Sequence, residues 1–135
     1  MTILLNAHAI TTAQSLATVG SVLSVPADCT SITIEGSLTY GSGGTTVKAF
    51  VQTSLDGGST FIDIMSLAYT TASLRKVANV IRGTATAPAT PSVGAMSDNT
   101  QLSGIIGDVI RVQVVTTGTY GGSTTLDIFV QMGSS

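Results

Sequence analysis

Residues 31–40 read Ser-Ile-Thr-Ile-Glu-Gly-Ser-Leu-Thr-Tyr, so that Ile32, Ile34, Leu38 and Tyr40 share one face with Gly36 between them. Ser31, Thr33, Glu35, Ser37 and Thr39 share the other face. A period of two belongs to a strand with one side against a core; wound into a helix, the same run would scatter its apolar side chains around the whole circumference. The pattern returns at 45–54, where Val47, Ala49 and Val51 alternate with Thr46, Lys48, Phe50 and Gln52. Between the two runs lies Gly41-Ser42-Gly43-Gly44, where positive φ is cheap, and the unit reads as a hairpin.

A second copy of this unit closes the chain. Thr39-Tyr40-Gly41 through Val51-Gln52 matches Thr119-Tyr120-Gly121 through Val130-Gln131 with one residue fewer in the glycine turn, and Ile110, Val112 and Val114 alternate ahead of it. Two similar units, one in each half, suit a sandwich with related halves. Residues 54–60, Ser-Leu-Asp-Gly-Gly-Ser-Thr, read as a turn leading into a short strand at 61–65. Residues 65–81 carry both helical and strand spacings; Thr70, Thr71 and Ser73 disfavour a helix interior, so strand is expected. The stretch to Val25 predicts one or two irregular strands before Pro26. At 135 residues the chain is one domain, 1–135, with an N-terminal arm at 1–14 and a long loop at 83–104 that holds two of the three prolines. The expected fold is all-β, a β-sandwich or jelly roll of about eight antiparallel strands.

Composition narrows the functional classes. Charged residues are 9% of the chain, while Thr, Ser and Gly fill 53 of 135 positions, so hydroxyls and main chain cover the surface in place of charge. With 43% apolar residues the chain is not of the disordered type, and five Lys and Arg against seven Asp and Glu cannot neutralise a phosphate track, which argues against nucleic acid as a partner. No run approaches the roughly 20 apolar residues of a membrane helix, and residues 1–10 carry no basic segment of a signal peptide. Cys29 and His8 each stand alone, so an internal disulfide is impossible, and neither a zinc site nor a cysteine–histidine catalytic pair is expected.

Other candidate sites are weighed against simpler roles. Asp56-Gly57-Gly58 with Asp63 beyond could suggest a calcium loop, but the further oxygen ligands are missing and a type I′ hairpin turn is the expectation. Glu35 lies on the polar face of its strand, where a solvated charge outranks a glycosidase carboxylate. The glycines at 41–44 join strand to strand and lack the Lys and helix of a phosphate cradle. Phe50 and Phe129 occupy equivalent places in the repeat, beside Gln52 and Gln131. Either a loop or the N-terminal segment covers them, which is the favoured reading, or they mark a subunit contact, with Lys48 and Asp127 brought near each other if the two copies pair.

Residues 38–76, with the core Val51-Gln52-Thr53-Ser54-Leu55-Asp56-Gly57-Gly58-Ser59-Thr60-Phe61-Ile62-Asp63-Ile64 and the later Ala68-Tyr69-Thr70-Thr71-Ala72-Ser73-Leu74-Arg75-Lys76, together with Thr117-Gly118-Thr119-Tyr120, carry a resemblance. This half of the chain resembles small β-sandwich virion proteins of tailed bacteriophages, of the capsid decoration or cement type. The resemblance implies a non-enzymatic particle component without cofactor, assembled in the host cytoplasm into a virion. Its partners would be the major capsid protein or other virion subunits, with the chain a homo-oligomer. Candidate subunit-contact residues are Ile3, Leu4, Leu5, Phe50, Phe129, Thr84, Pro88, Pro91 and Met96; no catalytic, cofactor-binding or metal-ligating residue is assigned. The alternative is a carbohydrate-binding or host-attachment module of a phage tail or fibre. Sugar-binding domains with this Ser-x-Asp-Gly-Gly-x-Thr stretch commonly place Trp where this chain has Phe61, and the chain has no Trp. A hydrolase ranks third, since no nucleophile, base and orienter group together.

Overall fold

The structure is a computed structural model that describes residues 2–134. Its strands are β1 (Thr2–Ala9), β2 (Gln14–Ser24), β3 (Cys29–Thr39), β4 (Ser42–Gly43), β5 (Thr46–Ser54), β6 (Ile62–Tyr69), β7 (Leu74–Ile81), β8 (Val109–Thr117), β9 (Tyr120–Gly121) and β10 (Thr125–Ser134). Sheet A has the order β1-β10-β3-β7, sheet B the order β2-β8-β5-β6, and β4 pairs with β9 in a small third sheet. Every pairing is antiparallel.

The eight long strands pair as β1 with β10, β2 with β8, β3 with β7 and β5 with β6, the nested partners of one long hairpin. Rolled over itself, that hairpin is closed by β10 against β3 and β8 against β5. This is the connectivity of a jelly roll, the expected fold class. The core fills from alternate positions of facing strands: Ile32, Ile34, Leu38, Leu126, Ile128 and Val130 from sheet A meet Val47, Ala49, Val51, Ile110, Val112 and Val114 from sheet B, all at most 1% exposed. At about 25 cal/mol per Å², each of these Val, Leu and Ile side chains contributes roughly 1.5–3 kcal/mol. The strands read from alternation at 31–40 and 45–54, and the strand reading of 65–81, stand as β3, β5, β6 and β7.

The hairpin between the first two runs does not form. β3 belongs to sheet A and β5 to sheet B, so the glycine segment carries the chain across the core from one sheet to the other. Alternation shows that each run buries one face; two strands facing one core from opposite sheets alternate just as a hairpin does. The repeat near the C-terminus crosses back in the same way between β8 and β10, and the two crossings meet. Ser42 pairs with Gly121 and Gly43 with Tyr120, and Tyr40 and Tyr120 pack edge to face with centroids 6.1 Å apart. A side chain at Gly41 would run into the carbonyls of Gly121 and Gly122, and one at Gly44, where φ is +75°, into the Tyr120 ring.

The N-terminal arm is likewise replaced: most of 1–14 is edge strand β1 of sheet A, with Ala9 opposite Thr125. Register shifts between Ile3 and Leu5 and between Leu5 and His8, with Ala7 at φ 47°, let the consecutive Leu4 and Leu5 both face inward, 1% and 4% exposed. Those bulges are why residues 1–10 show no period in the sequence. β2 is irregular too, with shifts between Gln14 and Ala17 and between Val19 and Leu23.

Candidate functional site

The long loop is the feature that sets this jelly roll's surface, and Asp63 near the start of β6 organises it. β6 bulges where Met65 opposes Val51 and Asp63 opposes Gln52, which turns Asp63 onto the outer face of sheet B. There its carboxylate, 1% exposed, accepts five hydrogen bonds. Oδ1 takes the Gln52 amide at 2.8 Å and the Gly94 N–H at 2.9 Å; Oδ2 takes the Ser92 hydroxyl at 2.8 Å and the N–H groups of Ala95 and Met96 at 3.1 and 3.2 Å. A buried carboxylate needs such donors, because leaving them behind would cost its whole hydration. The main-chain N–H of Asp63 also donates to the Ser92 carbonyl, so the loop is held from both sides of one residue.

From this latch the loop spreads over sheet B. Residues 99–102 run along the free edge of β6, with Ser66 N–H to the Thr100 carbonyl and Leu102 N–H to the Ile64 carbonyl. Asp98 pairs with Lys48 at 3.1 Å, and Gly94 lies so close to Leu16 of β2 that a Cβ would overlap its Cδ2. Phe50, opposite Ser66 and Gln113 on the same outer face, is left 2% exposed. Beside it the Gln52 amide donates to Gln113 Oε1 at 2.9 Å and accepts from Arg111 Nε at 2.8 Å, and the Arg111 guanidinium lies 3.7 Å from the Phe61 ring centroid.

The sequence-predicted contact residues therefore divide. Leu4 and Leu5 belong to the core and Phe50 lies beneath the loop, so all three are buried within the protomer and unavailable to a neighbour. Met96, half-buried, is part of the latch. The Ile3 main chain pairs with Phe129 in sheet A, while its side chain lies outside the described residues. Phe129 is half-buried on the outer face of sheet A beside Glu35 and Val77. Thr84, Pro88 and Pro91 are exposed, and the two prolines line an apolar hollow of about 300 Å³ with Leu55, Ile62, Leu102 and Ile105. Lys48 and Asp127 stand on different sheets. Lys48 pairs with Asp98, and Asp127 accepts the Ala7 N–H at 2.6 Å.

The 55–61 turn is a loop organised by Asp56 and longer than a two-residue type I′ turn. Its carboxylate accepts the Ser54 and Thr60 hydroxyls at 2.7 Å each and the N–H groups of Ser59 and Thr60 at 3.1 and 2.9 Å. Those bonds, the Thr60 N–H first, hold its pKa down to about 2 from the ordinary 3.8. Asp56 and Asp63 thus serve separate sets of protein donors. The remaining cations are spent similarly: Arg82 Nε donates to the Cys29 carbonyl at 2.9 Å, Lys76 to Ala68 and Asn99, and Arg75 lies 3.9 Å from Glu35.

The sequence pattern does not mark Asp63 as a latch, nor Gln52 and Gln113 beside it. The one available signal was an acidic residue in a run of apolar ones, Phe61-Ile62-Asp63-Ile64-Met65. Comparison with known family models, curated proteins and solved structures finds no match to this chain.

Proposed function

We propose that this chain is a non-enzymatic structural protein of a bacteriophage virion, a capsid decoration or cement protein that stabilises the head by bridging neighbouring subunits. The observation that carries the reading is a closed jelly roll whose long loop is latched to its own sheet by a buried carboxylate, holding the exposed 84–91 segment out on a fixed base. Jelly rolls serve as capsid domains, and also as lectins and cupins, so the site has to choose among them. The carboxylates and cations of this surface are held in place by protein partners, as an adhesive surface requires. The virion assignment itself comes from the resemblance of residues 38–76.

The mechanism is adhesion. The latch fixes residues 92–96 at the end of the 84–91 segment, which limits the ordering entropy lost when that segment and the apolar hollow beside Leu55 meet a neighbour. A standard patch of roughly 800 Å² per partner gives gross attraction of about 20 kcal/mol, most of it offset by association costs. Many copies on one lattice act together, so modest single contacts suffice. Few charges need to be desolvated on such a surface. The sugar-binding alternative is weaker, because Phe50, Tyr69 and Tyr120 are buried and the Arg111 guanidinium covers Phe61.

The test is reconstitution. Particles stripped of the protein should lose resistance to heat and osmotic shock and regain it when the purified chain is added back. A chain lacking 84–91 should fold with an unchanged melt and fail to rebind. Stripped particles as robust as intact ones would overturn the proposal, and rebinding by the deleted chain would overturn the role of the segment.

A further inference from the structure

Positive charge is unevenly placed on this molecule. Arg75, Lys76 and Arg82, at and just beyond β7, are three of the chain's five Lys and Arg residues. Their contacts leave that charge standing, because Lys76 Nζ donates to the Ala68 carbonyl and Asn99 Oδ1, and Arg82 Nε to the Cys29 carbonyl, all neutral acceptors. Among the described residues Glu35 is the one carboxylate paired with any of the three; it lies 3.9 Å from Arg75, whose side chain is 70% exposed, and such a pair contributes little. Six carboxylates against two cations remain for the rest of the chain. There Lys48 is held by Asp98 and Arg111 by Gln52 and Phe61.

The strand that carries this surplus is also an open edge. β7 pairs with β3 from Leu74 to Ile81 without a shift, and the Arg82 N–H donates to the Thr30 carbonyl. Residues 76, 78 and 80 therefore direct their main-chain groups to β3, while 75, 77, 79 and 81 direct theirs outward. The Ser103 hydroxyl takes the Ile81 N–H at 3.1 Å and closes that end. Among the described residues the outward main-chain groups of Arg75, Val77 and Asn79 have no partner. A straight unpaired edge is a template for another strand. A second β7 laid there would bring cations to cations, so the charge calls for a strand of the opposite sign.

We propose that the β7 edge takes an extended acidic segment of a partner protein, which pairs antiparallel with residues 75–79 and adds a fifth strand to the four of sheet A. The outward main-chain groups of Arg75, Val77 and Asn79 supply the hydrogen bonds, and side chains supply the choice of partner. The partner residue facing Arg75 is a carboxylate. The one facing Val77, which is 66% exposed, is apolar. The one facing Lys76 turns to the other side of the sheet, where Lys76, Ala78, Leu67 and Thr100 line a cleft of about 350 Å³. A second carboxylate fits there, because the Lys76 ammonium has three donors and gives two of them to Ala68 and Asn99. This inference is independent of the virion reading.

The experiment is titration of the full chain with the peptide acetyl-Thr-Thr-Ala-Val-Glu-Glu-Thr-amide, read by residue-resolved amide exchange, beside the same peptide with Lys in place of both Glu. The acidic peptide should slow exchange at Arg75, Val77 and Asn79 and bind about tenfold or more tightly than the Lys peptide, a margin that shrinks as salt is added. Arg75→Glu, at an exposed position, should cut or reverse that margin. Val77→Pro removes an outward donor that β3 does not use and should abolish binding of both peptides. If the proline variant misfolds, the charge swap at Arg75 still decides. Equal affinity for the two peptides, a margin untouched by Arg75→Glu, or no binding at millimolar peptide would overturn the proposal. Binding that leaves exchange at the three amides unchanged, or a wild-type chain whose β7 edge is already protected by self-association, would overturn it as well.

Discussion

Replacing Asp63 by Asn tests the latch with almost no change in shape. The carboxylate accepts two hydrogen bonds at Oδ1 and three at Oδ2, all from donors, and the residue is 1% exposed. An amide must turn its NH₂ toward one of these sets. Turned to the Oδ1 side it confronts Gln52 Nε2 and the Gly94 N–H; turned to the other it confronts the N–H groups of Ala95 and Met96. Either way two buried or part-buried donors lose their acceptor, at up to about 1–3 kcal/mol each, so the variant should be destabilised by up to about 2–6 kcal/mol. For a domain of this size that lowers the melting temperature by roughly 10 °C or more. Because the loop is the part released, protease should cut within 83–104 much faster than in the wild type, with the jelly-roll fragments still associated. A variant that melts with the wild type and is cut no faster in the loop would refute the reasoning.

Other consequences can be measured alongside. Phe50→Ala should lose about 3–5 kcal/mol in urea unfolding, since the ring is 2% exposed, whereas Phe129→Ala on the half-exposed face of sheet A should lose about 1 kcal/mol; equal losses would contradict the placement of the loop. Gly36→Ala sets a methyl 2.5 Å from the Tyr69 hydroxyl and 2.6 Å from Leu67 Cδ1, an overpacking of about 1–3 kcal/mol that an unchanged urea midpoint would exclude. Asp56 has its folded pKa depressed to about 2 from 3.8, so its contribution is present above 3.8 and lost as pH falls through about 2. Acid titration of Asp56→Ala should therefore converge with the wild type only at the acid end of that window, and a constant gap at all pH values would contradict the assignment.

The fold was legible where strands are half-buried and regular. Ile32, Ile34 and Leu38 announce their period because one face of β3 meets the core and the other carries small polar groups; Val47, Ala49 and Val51 do so because they alternate with Thr46, Lys48 and Gln52, although the loop buries Phe50 and Gln52 on that second face. What alternation leaves open is the partner, and so the glycine crossings read as hairpins until β3 and β5 are seen on opposite sheets. β1 was illegible because two bulges bring Leu4 and Leu5 inward together. The covering of Phe50 was foreseen as the commoner arrangement, but its agent lies some forty residues away in sequence, held by Asp63 through main-chain N–H groups that any residue supplies. With three of its five donors main-chain N–H groups, the latch leaves only Asp63, Gln52 and Ser92 as informative letters in the chain.

The proposed virion role is checked by mass spectrometry of the protein composition of particles purified from a culture whose cells carry the gene for this chain. The chain should be present in the mature particle at a fixed ratio to the major capsid protein. Its absence from particles, or a trace amount that varies between preparations, would contradict a structural role in the virion.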